Sequence, residues 1–397
     1  MSGVGQNDDV RERKRANSIR LIGTGLPDDA VTAADGAVPG AVEVAPVIGP
    51  TPVPKLEARQ RPPRLARFTI QLDDGHEVGV AVCGQGVPLV VVHGFSAEGF
   101  LYAQTLTRLV AMGFKVIAID TAGHGTTMGL PTGGANLEDY TKLLARALDE
   151  LGIERAVVAG HSMGGRLATE LAANEPDRII AVILIDAIVG PTWDRIVNAF
   201  RIAPPLLAGT GTLLWLDTLS TVPMFRDPRQ AAKLGRLLAP TIAGHIRRPW
   251  RLVGPAVSIM RSRSSAWMLE RLALLEIPVV VLHGDRDSAV PLCVGRAAAE
   301  RCGGDLVIIH GGTHSWLLKD PETLPAVMGH LLGRRLGDAI REELVAAGLD
   351  PMSARPADID AVLYEPDSGV IALTPPSDGV RHDRFHPPAR YRWSISA

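Results

Sequence analysis

Cysteine is scarce in this chain: Cys83, Cys293 and Cys302 are the only three among 397 residues. An odd, scattered set excludes a disulfide framework and points to a reducing compartment, so the cytoplasm is the expected location. Net charge is also slight, at -2, and gives no global field that would recruit nucleic acid. No stretch reaches the roughly 20 apolar residues that a membrane-spanning helix requires. Residues 1–20 hold Arg11-Glu12-Arg13-Lys14-Arg15 without an apolar run behind it and do not read as a secretory signal; they read as a solvated tail. Glycines near the apolar runs lack the spacing of a dinucleotide fingerprint, and the histidines lack metal-ligand spacing. No nicotinamide, flavin, other cofactor or metal is therefore expected.

What is present is 46% hydrophobic and 21% charged, the balance of a globular chain with one large domain and additions. Residues 1–66 are rich in Gly, Pro, Ala and Asp and read as an extended, disordered arm. Order is expected from Arg67. Phe68–Leu72 and Val78–Val82 alternate around Asp73-Asp74-Gly75, which predicts a β-hairpin. Continuous apolar runs follow at 88–92, 116–119, 157–159, 179–185, 278–282 and 306–309, the mark of strands buried on both faces. Helical segments separate them at 97–112, 136–151 with Asn136 and Asp139 as cap and partner, after Ser162, and at 293–302. Alternating βα units predict a parallel, doubly wound sheet whose ligands sit at the carboxyl ends of the strands.

The residues at those ends carry chemistry. Val157-Val158-Ala159-Gly160-His161-Ser162-Met163-Gly164-Gly165 reads as a strand entering a Gly-x-Ser-x-Gly turn, which holds Ser162 clear of the backbone as a nucleophile. The Met163 N–H then stands at a helix N-terminus, where negative charge is stabilised. Asp287 ends the turn after the 278–283 strand, and His314 follows the last one. A hydroxyl nucleophile needs an imidazole to take its proton and a carboxylate to orient that imidazole, and His314 and Asp287 are assigned those roles. Asp186 also ends a strand and is the alternative acid; the Gly284-Asp285-Arg286-Asp287 turn favours Asp287. His310 is the alternative base, while His93, His124, His161 and His283 are expected to be hydrogen-bonded framework.

With His93-Gly94-Phe95, Gly160-His161-Ser162-Met163-Gly164-Gly165, His283-Gly284-Asp285-Arg286-Asp287 and Gly312-Thr313-His314 in that order, the chain resembles the α/β-hydrolase superfamily from about Phe68 to Arg335. The resemblance implies that fold, with an oxyanion hole made by the backbone N–H groups of Phe95 and Met163. The nucleophile turn is similar to those of monoacylglycerol lipases, carboxylesterases and cofactor-free haloperoxidases. Serine at 162 disfavours the relatives with an aspartate nucleophile.

That resemblance places the core at 67–187 and 277–335, a helical cap at 188–276 and a C-terminal extension at 336–397. Within the cap, residues 226–271 hold ten basic residues against Asp227 and Glu270, a local +8 interleaved with apolar groups. Two readings stay open: arginines solvating helix exteriors, or a basic outer face for peripheral contact with an anionic lipid surface above an apolar acyl site. A last helix is expected over 324–349, with short strands at 362–364 and 369–373. The expected activity is hydrolysis of an apolar acyl ester through an acyl-enzyme. Thioester hydrolysis, acyl transfer, or ligand binding by a silent triad are the alternatives.

Overall fold

The structure, a computed structural model, describes residues 65–95, 97, 99–130, 136–221, 228–247, 250–364, 368–373 and 389–396. The expected N-terminal arm lies outside the described residues except for Leu65 and Ala66. Ala66 already opens a strand, β1 (Ala66–Gln71), which pairs antiparallel with β2 (Glu77–Cys83), Phe68 facing Val80 across the hairpin.

The apolar runs form six parallel strands: β3 (Val87–Val92), β4 (Phe114–Ile119), β5 (Ala156–His161), β6 (Ile179–Ile185), β7 (Val279–Gly284) and β8 (Asp305–His310). With β9 (Arg392–Ser396) at the far edge, the sheet order is β1-β2-β4-β3-β5-β6-β7-β8-β9. Successive side chains of a strand point to opposite faces, and here each face is covered. Val90, Val92, Val158 and Leu184 pack in one apolar cluster, whereas Leu89, Val91, Val157 and Ile183 pack in the other. Helices α2 (Leu137–Glu150), α3 (Met163–Asn174) and α9 (Leu292–Cys302) contribute to the first cluster; α1 (Ala103–Val110), α10 (Trp316–Lys319), α11 (Thr323–Leu331) and α12 (Arg335–Ala346) contribute to the second. Uninterrupted hydrophobicity in a strand thus reflects two covered faces rather than one.

Between β6 and β7 the chain makes five helices: α4 (Pro191–Ile202), α5 (Pro205–Ser220), α6 (Pro228–Arg247), α7 (Trp250–Arg261) and α8 (Ala266–Leu274). Met268, Leu269 and Leu272 of the last are buried in the first cluster, as are Trp193, Val197 and Phe200 of α4 and Ile259 of α7. No helix among the described residues is long and apolar enough to cross a membrane.

Several local expectations need correction. Asn136 precedes α2 in an extended conformation but makes no side-chain cap bond; the Asp139 N–H donates to the Asn136 carbonyl instead. The expected helix over 324–349 is two helices, α11 and α12, parted by a turn at 332–334. A Cβ on Gly337 would lie 1.8 Å from the Leu332 carbonyl oxygen, so only glycine permits that turn. Residues 362–364 and 369–373 are not strands. They fall in or beside two short helices, α13 (Pro356–Leu363) and α14 (Gly369–Leu373). Proline at the first position and the Arg355 N–H on the Asp358 carboxylate at 3.0 Å start α13 as a helix. The end of the C-terminal extension contains β9 (Arg392–Ser396), antiparallel to β8 at the sheet edge.

Candidate active site

Ser162 stands between β5 and α3 with φ 53° and ψ -116°, a positive φ that a residue with a Cβ adopts only under strain. Its backbone is over-determined. The Ser162 N–H donates to the Ile185 carbonyl at 2.9 Å, and its carbonyl accepts from Gly165 (3.1 Å) and Ile188 (3.2 Å). The flanking glycines are required by close approach: a Cβ on Gly160 would lie 2.3 Å from the Gly164 carbonyl oxygen, and one on Gly164 2.1 Å from that of Val92. The strand-to-helix turn can therefore be this sharp only with those residues. Met163 begins α3 and is fully buried, while Phe95 lines the cavity beside Ser162.

His314 and Asp287 come together. The His314 Nδ1–H donates to Asp287 Oδ2 at 2.6 Å, and Asp287 Oδ1 accepts from the N–H groups of Ala289 and Val290, both at 2.8 Å. This fixes the tautomer of His314 and leaves Nε2 for a reacting group. Burial alone would lower the His314 pKa, but the charge and hydrogen bond of Asp287, with Asp186 and Asp217 behind it, carry it up to about 9. Burial pushes the Asp287 carboxyl upward, yet His314 holds it below the ordinary carboxylate range.

The other candidates take framework roles. Asp186, also at positive φ (46°), is fully buried and accepts from Gly284 N–H (2.8 Å) and the Trp316 indole N–H (2.7 Å). It thus ties the start of the acid's turn to the base's loop. Burial, then the neighbouring Asp287, raises its pKa well above the ordinary value. His310 is exposed and bonded to Asp285 and Ser394. His93 donates from Nδ1 to the Gly94 carbonyl and accepts at Nε2 from Thr121 N–H, holding the loop that carries Phe95. His124 bonds locally to Thr121 and Ala122.

His161 is pushed down to about 3, first by burial and then by His314, and so stays neutral. Its Nε2–H donates to the His314 carbonyl at 3.0 Å, and its Nδ1 accepts from the Tyr102 hydroxyl at 3.0 Å. No motif marks Tyr102, whose partner lies 59 residues away. Asp186, His283 and Asp287 have ligand-type atoms within 4.8 Å of one another. Each is already committed to protein partners, His283 Nε2–H to the Val290 carbonyl at 2.8 Å, which suits a framework better than a metal.

Two cavities meet at Ser162 and His314. The larger, 390 Å³, is walled by Trp193 and Phe200 of α4, Leu207 and Leu214 of α5, Ile259 of α7, and Val290. Its volume falls within the usual range for small-molecule sites, and its walls are almost wholly apolar. The smaller, 40 Å³, is bounded by Tyr102, His161, Trp215, Thr218 and Ser315. It is the more polar of the two, although Leu101, Leu214, Ile242, Leu317 and Leu318 also line it.

The sequence profile of the alpha/beta hydrolase family matches residues 89–327. The chain belongs to that family. It is 36% identical over 261 residues to a non-heme-haloperoxidase-like protein of Mycobacterium phage D29, covering 64% of this chain and 90% of the relative. To a monoacylglycerol lipase of Mycolicibacterium smegmatis it is 26% identical over 247 residues, covering 59% and 82%. Among solved structures, a thermophilic esterase from Thermogutta terrifontis superposes with a TM-score of 0.50 at 23% identity, covering 67% of this chain and 98% of the esterase, a likeness of fold.

Proposed function

We propose that the chain is a serine hydrolase of acyl esters with an apolar acyl group of medium or long chain. The observation that carries this reading is the shared cavity: Ser162, on its strained turn, and His314, held by Asp287, both face one apolar space of 390 Å³. Ser162 Oγ attacks the ester carbonyl carbon while His314 Nε2 takes the hydroxyl proton. The N–H groups of Phe95 and Met163 receive the oxyanion, each worth roughly a hundred- to a thousandfold in turnover. Collapse expels the alcohol, which leaves with the proton from His314. Water, deprotonated by the same imidazole, then releases the acid and regenerates Ser162. The larger cavity takes the acyl chain; the smaller, more polar one takes the leaving group.

The test is labelling by a fluorophosphonate together with turnover of p-nitrophenyl esters of increasing chain length. Rapid labelling that disappears in Ser162→Ala, with kcat/KM rising with chain length, is the expected result. Labelling that persists in Ser162→Ala, or none in the parent, overturns the reading. Product analysis with an added alcohol separates hydrolysis from acyl transfer.

A further inference from the structure

The helices between β6 and β7 carry a surface that ester hydrolysis does not use. Fourteen large apolar side chains are exposed among the described residues, and ten of them fall between Ile202 and Leu275. Four of them, Leu206, Leu213, Leu216 and Leu219, lie along the outer side of α5 as a ridge, and Ile202 (86% exposed) stands just before it at the end of α4. From Leu206 to Leu219 the ridge runs about 20 Å along α5, at the rise of an α-helix. The opposite face of α5 is apolar too, since Leu207 and Leu214 line the larger cavity. The helix has a single ionisable residue, Asp217, and it is drawn inward to Ser315 and Lys319. In a globular protein a helix that is apolar all round is normally buried. Among the described residues nothing covers the outer ridge.

Charge indicates what does. Arg201, next to Ile202, donates to the carbonyls of Met260 (2.7 Å) and Ser262, which places the exposed Arg261 and Arg263 at the same end of the ridge. Across residues 191–274, seven described arginines are exposed against one acid, Glu270. A second copy of this chain would bring arginines against arginines across a two-fold interface. An anionic bilayer matches both features at once, with leucines entering the acyl boundary and guanidinium groups on lipid phosphates.

We propose that α5 docks lengthwise on an anionic lipid bilayer, with Arg261 and Arg263 at the headgroups. The docked helix is also the wall of the larger cavity, so the bilayer lies one helix away from Ser162. Docking does not depend on the chemistry assigned to that serine.

The test uses the full chain with vesicles of phosphatidylcholine alone and vesicles containing phosphatidylglycerol. Binding to the anionic vesicles is expected to be at least about tenfold tighter and to weaken with salt. Leu213→Trp should show a blue-shifted indole emission on those vesicles alone. Leu213→Asp/Leu216→Asp should lose vesicle binding while keeping the parent's melting temperature and its rate on a short water-soluble ester, since neither leucine lines the cavity. Should that variant fail to fold, Arg261→Ser/Arg263→Ser is expected to bind about thirtyfold more weakly, from the usual contribution of one arginine near a charged membrane. Absent or equal binding to the two vesicle types, or unchanged binding by a folded double variant, overturns the proposal. So does self-association that Leu213→Asp/Leu216→Asp abolishes in vesicle-free solution. A chain that binds vesicles but cleaves no ester leaves docking standing and removes the hydrolase reading.

Discussion

The carboxylate of Asp217, on α5, accepts a hydrogen bond at 2.7 Å from the backbone N–H of Ser315, the residue after His314. Its other oxygen takes Lys319 Nζ at 3.0 Å, and that ammonium also donates to Thr313 Oγ1 at 2.8 Å, on the other side of His314. Burial would raise the Asp217 pKa, but the Thr313 side chain, then Lys319 and the Ser315 N–H, hold it below the ordinary value, so the clasp stays charged. The helix that walls the cavity is thereby fastened to the loop that presents the base.

Asp217→Ala removes the clasp and one of the charges that raise the His314 pKa. A small misplacement of a catalytic group costs turnover steeply, and kcat is expected to fall about tenfold. The midpoint of kcat/KM against pH should move down as well. A loss of stability alone would leave that midpoint in place, so the pH profile separates the two.

His314 accepts a proton only when neutral. With its pKa carried up to about 9, first against burial and then by Asp287, the protonated and inactive form dominates below that value. Esterase kcat/KM should therefore climb about tenfold per pH unit toward a midpoint near 9 and level off above it. A flat profile across neutral pH, corrected for spontaneous hydrolysis, removes His314 from the role of base.

Asp287→Asn replaces the acceptor of the His314 Nδ1 proton with a group that can turn its amide N–H toward the ring. The expected loss in kcat is about four orders of magnitude, with KM little changed. Steady-state kinetics on a soluble ester reads both. A loss below tenfold returns the orienting role to Asp186.

Leu207 projects into the larger cavity but does not border the smaller one. Leu207→Trp should cut kcat/KM for long-chain esters by at least about tenfold, as lost burial of a few methylenes dictates, and leave acetyl esters nearly untouched. Parallel progress curves over the chain-length series check it. Equal losses on all esters would put the acyl chain elsewhere.

Lys115 is wholly buried on β4 and pairs with Asp360 of α13 at 3.0 Å, with its ammonium 4.4 Å from the Tyr364 ring centre. Asp360 also accepts from Gly86 N–H at 2.8 Å, and the Tyr364 hydroxyl donates to the Gly86 carbonyl at 3.0 Å. Asp360→Ala strands the buried ammonium and should cost about 3 kcal/mol of stability in chemical denaturation, without altering kcat. The sequence offered no chemistry for this region; the structure makes it a clamp on the ends of β3 and β4 remote from the serine.

Elements whose cause is local were readable before any coordinates. Each doubly covered strand is an unbroken apolar run, and the tight passage at Ser162 demands its glycines, so both leave marks in adjacent residues. Where the cause is distant, the sequence is silent. Tyr102, Asp217 and Trp316 act through partners 59, 98 and 130 residues away, and no spacing discloses such pairs. The C-terminal region misleads for a different reason. Val362 and the Val370-Ile371 pair suggest strands by side-chain shape, but Pro356 and the Asp358 contact to the Arg355 N–H start a helix. The true strand, Arg392–Ser396, is short, half exposed and mostly polar. Periodicity likewise spans the turn at 332–334 without registering it.

Glycine at 162 would relax a backbone that serine holds at φ 53°, at a gain of order 1 kcal/mol. A library screened for heat resistance alone would therefore tend to discard the hydroxyl there. A serine in so ill-suited a conformation separates what the fold prefers from what its chemistry demands.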